Sequence, residues 1–515
     1  MEKKVDIFVT NIFKKNNFTL FKSDIIENFK LFLAENKSKD RYLERIISII
    51  KSLTTEKQQI YLASVLLYIS PTSKYIDFLI ELTNKSSLSK EYKYFIFHQI
   101  FYKLFINNNL RGINTFGILL KFYKNIYDTA INDVKKLINI KFIPKDERNK
   151  KLIFVLTSQY ISINHAPTRR TLVKCINLKE LGYDVVLINT CSLATKNNGI
   201  NFYDLFLGSY SEDYFNIDCV KFKDYSIPFY QMKDMYKDSE VVNIIKILQK
   251  YKPYLILEIG ATNIIADICD SIIPVVTISA SMGLPISMAS FRIASSKVDK
   301  KDVKLLKQYS ISKRSLIIHK LKFSMIALTE DIHNTKNKLG IPEDKFILLF
   351  VGARLTSEVS DEFIIKLLKL RKLNIHILLV GGYDKYEENS KRIKYFKQNV
   401  TYLSSQSNMA SIYKNSDLYV NPPYRQGGGA SSIESLYCGI PVVSINHGDV
   451  YINIGKKFVV NDISEMITMI KKYILDSQYY RKMSKVSKKR AKKLIDSKKD
   501  TKELLNKIIS NKLFF

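Results

Sequence analysis

One stretch of the chain, Asn421 to Ser444, brings together residue types that bind phosphate. Three consecutive glycines, Gly427 to Gly429, follow an apolar run and precede a helical run that contains Glu434. A glycine loop that leads into a helix lets bare backbone approach a ligand and directs free N–H groups at it, and the usual occupant is an anion. A flexible turn without a ligand is the alternative, but polar residues on both sides of the glycines favour the anion site.

The residues around this loop predict a parallel βαβ unit. A buried strand ends at Val420, and the next begins at Pro441. Ser431 or Ser432 would cap the helix between them, and Gly439 would end it, because glycine accepts the left-handed conformation found after helices. Strand, glycine loop, helix and strand in this order place the loop at the carboxyl end of a sheet, where such sheets bind ligands.

Two polar side chains with seven residues between them, Gln426 and Glu434, sharpen this prediction. Here the sequence resembles the nucleotide-sugar glycosyltransferases of the GT-B fold, especially the family-four group of bacterial retaining enzymes. Members of that group carry two glutamates at this spacing, then a short helix and Gly-x-Pro-Val-Val, which is Gly439 to Val443 in this chain. The chain departs from the pattern at the first glutamate, which is replaced by Gln426.

A second part of the resemblance lies upstream, from Lys322 to Leu355. Arg354 matches the arginine that binds the diphosphate in the family, and a guanidinium offers forked donors to phosphate. The family has a lysine about five residues later, where this chain has Val359. The second positive charge is therefore missing or supplied from elsewhere. A surface salt bridge is the alternative role for Arg354.

The resemblance implies a role for each matching residue. Arg354 and the amides at the helix start would stabilise the leaving diphosphate, so that no metal and no cofactor are required. Glu434 would bind the ribose hydroxyls, Gln426 would hydrogen-bond the donor sugar, and the backbone around Gln406 would hold the nucleobase. The predicted donor-binding residues are Arg354, Gln406, Gly427, Gly428, Gly429, Ala430, Ser431, Ser432 and Glu434.

After a predicted strand comes a predicted polar loop, Ser162 to Arg170, which contains His165, Arg169 and Arg170, and a helix is predicted to begin at Thr171. Because ligands bind beyond the carboxyl ends of parallel strands, the histidine could contact the acceptor or the transferred sugar, and the arginines could lie near phosphates. A histidine that only packs within its loop is an equal alternative. Ser281 and Met282, after a later strand, are candidates for lining the same site. The predicted catalytic residues are Gln426, Arg354 and His165.

Four regions follow from the periodicity along the 515 residues. Residues 1–145 carry apolar side chains at helical spacing and predict an all-helical domain of about five to seven helices. From Lys151 strands and helices alternate, which predicts doubly wound parallel sheets. Together with the resemblance, this predicts an α/β protein of the GT-B class, with two Rossmann-like domains facing a cleft. They are an acceptor-side domain at 150–320 and a donor-side domain at 321–480, followed by basic terminal helices at 481–515.

The formal net charge of +32 has two explanations. Attraction to nucleic acid or anionic lipid is one, but the dispersed lysines in a sequence rich in Lys, Asn and Ile favour compositional drift. No nucleic-acid-binding module is recognisable, so we expect no nucleic-acid partner. The dense basic patch from Tyr480 to Lys499 is interpreted as a solvated helix face, and contact with an anionic membrane surface stays open.

The cysteines and the N-terminal sequence predict a cytoplasmic protein, and the resemblance implies a bacterial one. Five scattered cysteines without a CxxC pair argue against a disulfide framework or a zinc site and fit a reducing compartment. The N-terminus does not resemble a signal peptide, and no apolar run is long enough to span a membrane. Peripheral binding to the inner face of the membrane stays open.

Three functions are compatible with these residues. The prediction is a hexosyl- or N-acetylhexosaminyltransferase that uses a nucleoside-diphosphate sugar, expected to be a UDP-sugar. It would act on a surface glycan or a lipid-linked acceptor with retention. In the first alternative the helical domain binds a protein acceptor. In the second the chain is a catalytically inactive GT-B partner subunit, which the replacements at Gln426 and Val359 suggest.

Overall fold

The computed structural model describes residues 2–13, 23–106, 110, 115–163, 165–192, 201–206, 211–233, 236–260, 262–279, 284–295, 298–309, 311–312, 315–325, 328, 335–406, 408–425, 427 and 429–511. The chain divides into two compact units. The first consists of residues 1–163, 178–319 and 505–515, and the second of residues 164–177 and 320–504.

The N-terminal part of the first unit is helical, as the spacing of its apolar residues predicts. In the third helix Leu43, Ile46 and Ile50 form a buried apolar stripe while charged residues cover the other face, whereas the fourth and sixth helices are buried on nearly all sides. The helices described here are α1 (Glu2–Phe13), α2 (Asp24–Ala34), α3 (Lys39–Ser52), α4 (Glu56–Ile69), α5 (Ser73–Lys85), α6 (Lys90–Ile106) and α7 (Thr115–Leu137). The predicted helical N-terminal region is therefore confirmed.

The rest of the first unit is built on a mostly parallel sheet. Its strands are β1 (Asn149–Thr157), β2 (Asp184–Asn189), β3 (Cys219–Phe222), β4 (Tyr225–Gln231), β5 (Pro253–Gly260), β6 (Val275–Ser279), β7 (Phe291–Ala294) and β8 (Leu316–Ile318). They are ordered β3-β4-β2-β1-β5-β6-β7-β8, and only β3 pairs antiparallel. The connecting helices are α8 (Ala166–Glu180), of which residues 166–177 belong to the second unit, α9 (Asp238–Tyr251), α10 (Ile264–Cys269) and α11 (Lys300–Gln308).

The helical region and the first sheet share one hydrophobic core. Buried Phe97 of α6 and Tyr123 of α7 belong to the same cluster as Phe154 of β1 and Ile256 of β5. The segment between α7 and β1 also packs on this unit, where the amide of Ile143 donates to the carbonyl of Ile272, shortly before β6, at 2.9 Å.

The second unit contains an all-parallel sheet of buried strands, which is typical of sheets covered by helices on both faces. Its strands are β9 (Phe346–Gly352), β10 (Ile375–Gly381), β11 (Val400–Leu403), β12 (Leu418–Val420), β13 (Val442–Ile445) and β14 (Val459–Val460), in the order β11-β10-β9-β12-β13-β14. Its helices are α12 (Leu355–Glu358), α13 (Asp361–Leu368), α14 (Tyr386–Arg392), α15 (Phe396–Asn399), α16 (Met409–Lys414), α17 (Gly429–Cys438), α18 (Gly448–Ile454), α19 (Ile463–Leu475), α20 (Ser477–Lys492) and α21 (Ser497–Ile509), of which the last extends into the first unit.

The chain changes direction across the second sheet between β9 and β12. From β9 it proceeds outward to β10 and β11, and then returns to β12 on the other side of β9, where Leu418 and Tyr419 pair with Leu348 and Leu349. In doubly wound sheets the crevice at such a switch point is where ligands bind. The segments that follow β9 and β12 therefore meet at the position expected for a ligand.

The predicted α/β class with its helical N-terminal region is confirmed, but two local predictions are wrong. α8 begins at Ala166, so Arg169 lies on a helix and not in a loop. α17 begins at Gly429, so Ser431 and Ser432 lie in its first turn and do not cap it. None of the described helices combines the length and the apolar character that crossing a bilayer requires.

Candidate functional site

The segment after β9 places an arginine and a glutamate side by side. Arg354 precedes α12, and Glu358 ends that helix one turn later. Nη2 of Arg354 donates to Oε1 of Glu358 at 3.1 Å. The Arg354 side chain is 38% exposed, whereas that of Glu358 is only 8% exposed. Arg354 is thus held by a buried carboxylate and still reaches solvent, so a ligand can contact it.

A second arginine, Arg425, binds the other oxygen of the same carboxylate. Its Nε and Nη2 donate to Oε2 of Glu358 at 2.8 and 2.6 Å. Its Nη1 donates to the carbonyl of Val351 at 2.6 Å and to the hydroxyl of Tyr419 at 3.1 Å. Arg425 is only 3% exposed, so this guanidinium is buried among partners that the protein itself supplies.

The end of β9 comes close to Arg425. A Cβ atom on Gly352 would lie 1.8 Å from Nη2 of Arg425, which is far inside van der Waals contact. Glycine is therefore required at this position by the guanidinium that lies against the strand.

The segment after β12 leads into α17. Gly427 is buried, and the helix starts at Gly429 with Ala430 behind it. The first amides of a helix have no partner within it and carry the positive end of its dipole, which suits an anion. Two predicted residues, Gln426 and Gly428, lie outside the described residues.

The two serines of α17 make different contacts. Ser432 is buried, and its Oγ donates to the carbonyl of Gly429 at 2.8 Å. Oγ of Ser431 lies 2.7 Å from the hydroxyl of Tyr419. The serines therefore hold the first turn of α17 to itself and to β12.

Glu434, one turn further along α17, is a buried carboxylate with two partners. It is 4% exposed. Oε1 accepts from Nη2 of Arg169 at 3.0 Å, and Oε2 accepts from the hydroxyl of Tyr413 at 2.9 Å. Burial and the negative charge of Glu434 raise the pKa of Tyr413 well above its usual value, so the phenol remains a donor. Arg169 thus contacts the carboxylate directly, and its expected position near phosphates stays a prediction.

A continuous chain of hydrogen bonds joins the two predicted donor-binding side chains, Arg354 and Glu434. Its last link before Glu434 is Tyr413, whose hydroxyl also approaches the carbonyl of Ser431 at 3.1 Å. We call this set the donor-site network; in order its members are Arg354, Glu358, Arg425, Tyr419, Ser431, Tyr413, Glu434 and Arg169.

His165 stands directly before α8, one helical turn before Arg169. Its Nδ1 lies 2.9 Å from Oγ1 of Thr168. Burial, together with the positive charge of Arg169, lowers the pKa of His165 to about 4. The imidazole is therefore neutral at physiological pH, and it can exchange hydrogen bonds with hydroxyl groups but does not act as a cation.

The remaining candidates lie apart from these contacts or outside the description. Gln406 follows β11, and its Nε2 donates to the carbonyl of Ser404 at 3.2 Å. Ser281 and Met282 are outside the described residues. Across the part of the chain that the structure describes, no group of three or more His, Cys, Asp or Glu residues could hold a metal ion.

Four members of the donor-site network were not recognisable in the sequence. Glu358, Arg425, Tyr413 and Tyr419 were not predicted as site residues, because each contacts a partner that the alternation of strands and helices does not reveal. A sequence signal does exist for Arg425, which lies between a Pro-Pro-Tyr segment and the glycines. A charge without a partner would be costly to bury at such a position, so a charged residue there indicates a polar partner.

Comparisons with known proteins agree with this geometry. Residues 331–490 match the family model "Glycosyl transferases group 1". A glycosyltransferase from Rickettsia africae superposes with a TM-score of 0.51 at 14% identity, covering 70% of this chain and 97% of that one. HepE from Anabaena, solved in complex with UDP, gives a TM-score of 0.50 at 14% identity, covering 70% of this chain and 100% of that one. No curated protein matches the sequence.

At this level of identity the two solved structures establish the fold, which is that of GT-B glycosyltransferases. The family model covers the region that holds Arg354, Arg425 and Glu434, that is, most of the donor-site network. The match and the fold together support a glycosyltransferase.

Proposed function

We propose that the protein transfers a hexose or N-acetylhexosamine from a UDP-sugar to a hydroxyl group of a surface glycan or a lipid-linked acceptor, with retention at the anomeric carbon. One observation carries this proposal. Arg354 and Glu434 follow the neighbouring strands β9 and β12 at a topological switch point, and one hydrogen-bond network joins them. The UDP bound by HepE, which shares the fold, supports UDP as the nucleotide.

The chemistry of the diphosphate fits these residues. When the bond between the anomeric carbon and the diphosphate breaks, negative charge develops on the leaving phosphate oxygens. The partly exposed side chain of Arg354 and the amides at the start of α17 are donors held in place before the reaction, which is the arrangement that stabilises such charge. Glu434 accepts hydrogen bonds and would receive them from the ribose hydroxyls while Arg169 and Tyr413 fix its orientation.

The sugar end of the proposed site uses neutral groups. Gln426 would hydrogen-bond the hydroxyl groups of the transferred sugar. His165, which its low pKa keeps neutral, would contact the sugar or the acceptor hydroxyl. Action on a lipid-linked acceptor is compatible with peripheral binding of the exposed basic residues of α20 to an anionic inner membrane face, and we propose a cytoplasmic location.

The proposal is tested by transfer assays with the full-length protein. The protein is incubated with UDP-glucose, UDP-galactose and UDP-N-acetylglucosamine, and released UDP is measured with and without glycan, lipid-linked and protein acceptors. We expect UDP release from at least one donor, and we expect Glu434→Ala and Arg354→Ala to abolish it without unfolding the protein. Arg392→Met, which removes contacts with Asp361, Glu388 and Asn389 outside the donor-site network, is the matched control and should retain activity. Absence of UDP release with every donor, despite a folded wild type, would contradict the proposal.

A further inference from the structure

We propose that Arg425 is a positioning residue for the diphosphate of the donor. It balances the negative charge of Glu358, so that Arg354 keeps its positive charge for the ligand, and it connects the start of α17 to the same point. This inference rests on the proposed function, since it concerns the diphosphate end of the same site.

Two arginines share the charge of one buried carboxylate at the end of β9. Glu358 is buried, and a buried carboxylate that faced Arg354 alone would cancel the charge of that arginine. Two guanidinium groups around one carboxylate leave a net charge of about +1. Val359, where the resemblance leads one to expect a lysine, is only 1% exposed and belongs to the hydrophobic core. Arg425 therefore provides the second positive charge that this position lacks.

Each oxygen of the Glu358 carboxylate contacts a different arginine. Arg425 directs both Nε and Nη2 to Oε2 of Glu358, which leaves Oε1 to Arg354. A forked guanidinium fixes the plane of the carboxylate as well as its position. The orientation of Arg354 toward a ligand thus depends on a side chain that the ligand does not touch.

Arg425 is also linked to the start of α17, on the other side of the proposed diphosphate site. Nη1 of Arg425 donates to the hydroxyl of Tyr419, and that hydroxyl meets Oγ of Ser431 in the first turn of α17. The buried guanidinium of Arg425 is therefore connected to the first turn of α17 through Tyr419 and to Arg354 through Glu358. Loss of Arg425 would disturb both sets of donors at once.

The test compares the affinity for UDP with the affinity for UMP, because only UDP carries the second phosphate. Binding to the full-length protein is measured by calorimetry. We expect Arg425→Met to weaken UDP binding by about 10- to 100-fold, the range for losing a close charge interaction, and to weaken UMP binding much less. Arg392→Met, which removes an arginine outside the donor-site network, should leave the UDP-to-UMP affinity ratio unchanged.

A double variant separates positioning from a merely structural contribution. In Arg425→Met with Glu358→Gln, the carboxylate that would neutralise Arg354 is also gone. We therefore expect the double variant to recover most of the UDP affinity that Arg425→Met loses. Poor packing around the introduced methionine would not by itself predict this recovery, so a double variant as weak as Arg425→Met would overturn the proposal.

Tyr419→Phe keeps the test decisive if Arg425→Met alone does not fold. This substitution removes one hydroxyl and breaks the link between Arg425 and Ser431. We expect the UDP-to-UMP affinity ratio to fall by about 3- to 10-fold, as for one lost hydrogen bond. An unchanged ratio would count against the proposal.

The experiment also distinguishes this inference from the proposed function. If the wild type binds none of UDP, GDP and ADP, the proposed function fails and the inference fails with it. If the wild type binds UDP and Arg425→Met binds it with the same preference over UMP, only the positioning inference fails.

Discussion

At the scale of single residues, Glu434 shows how the protein keeps a buried carboxylate in place. The carboxylate accepts from Arg169 and from Tyr413, so each of its oxygens has a partner. Each carboxylate oxygen can accept a second hydrogen bond, and ribose hydroxyls would therefore add to these contacts without replacing them. Arg169, on the first turn of α8, is therefore one of the two residues that hold the Glu434 carboxylate in place.

Replacement of Arg169 tests this dependence. Arg169→Met leaves a buried negative charge without its counter-ion, and because Arg169 is about one-fifth exposed, we expect a loss of roughly 1–3 kcal/mol in the free energy of unfolding. Urea unfolding measures this loss. Lys179→Met, in the last turn of the same helix, is the control and should lose less. Equal losses in the two variants would show that the contact with Glu434 contributes nothing.

Glu258 gives a prediction about pH. It is fully buried on β5, and among the described residues neither carboxyl oxygen has a hydrogen-bond partner. Burial, and then the negative charge of Asp267, raise the pKa of Glu258 well above its usual value. As pH rises above the unfolded pKa of about 4.5, only the unfolded state ionises, so the folded state loses stability.

We therefore expect Glu258→Gln to raise the melting temperature relative to the wild type, and the difference to grow from pH 4 to about pH 7. Thermal unfolding at several pH values measures it. Glu212→Gln, which alters an exposed glutamate of the same unit, should show no such growth. A constant difference across this range would mean that the pKa of Glu258 is the same in the folded and the unfolded protein.

The sequence predicted the individual site residues in part. Arg354 and Glu434 were found because each follows a recognisable strand in a recognisable motif, although their donor-binding roles stay predictions. Glu358 and Arg425 were missed because they are 67 positions apart and only the fold brings them together. The same holds for Arg169 and Glu434, which are 265 positions apart.

At the scale of elements, the end of β9 is the most constrained backbone of the site. Gly352 has no room for a side chain, because Nη2 of Arg425 occupies the space where Cβ would lie. The glycine, the strand end and the guanidinium therefore form one packed arrangement, and a change in any of them would reach Arg354 through Glu358.

We expect Gly352→Ala to lower the free energy of unfolding by about 1–3 kcal/mol, the usual cost of overpacking. UDP binding should weaken at the same time, because Arg425 must move. Gly340→Ala is the control, because it meets open space and is opposed only by its positive φ of 65°; it should cost about 1 kcal/mol and leave UDP binding unchanged. Chemical denaturation and calorimetry provide both values. Normal UDP binding by Gly352→Ala would contradict the link from Gly352 to Arg354.

Strands and helices were easier to predict than their ends. Buried apolar runs such as those of β1, β5, β9 and β10 are visible in the sequence because parallel strands covered on both faces carry few polar residues. The starts of α8 and α17 were placed too late, because Pro167 and Gly429 were taken as loop residues. Proline is well accommodated in the first turn of a helix, and a helix can begin at a glycine.

At the scale of the whole molecule, the helical region and the first sheet belong together. The hydroxyl of Tyr123 on α7 donates to Oδ2 of Asp267 on α10 at 2.6 Å, and both residues are buried. Lys90 of α6 bridges Asp133 and Asp238 at 2.7 Å each. Helical periodicity shows which face of each helix is apolar, but it does not show that this face covers a sheet, and this is why the sequence suggested a separate domain.

A shared core predicts shared unfolding. We expect amides of α7 and β5 to exchange with deuterium through the same opening reaction, with the same dependence on urea. Tyr123→Phe, which leaves the Asp267 carboxyl short of one partner, should lower the exchange free energy of both elements by about 1–3 kcal/mol. Native-state hydrogen exchange of the full-length protein measures both. A loss confined to α7 would show that the helical region unfolds on its own.

The central claim is that a nucleoside diphosphate binds where β9 and β12 end, between Arg354 and the start of α17. Hydrogen exchange with and without UDP tests it most directly, because exchange locates the ligand along the chain. We predict that UDP slows exchange at residues 352–358 and 429–434 and leaves α2 to α5 unchanged, and that Glu434→Ala abolishes this protection. Saturating UDP without protection in these two segments, or with protection only elsewhere in the chain, would contradict the claim.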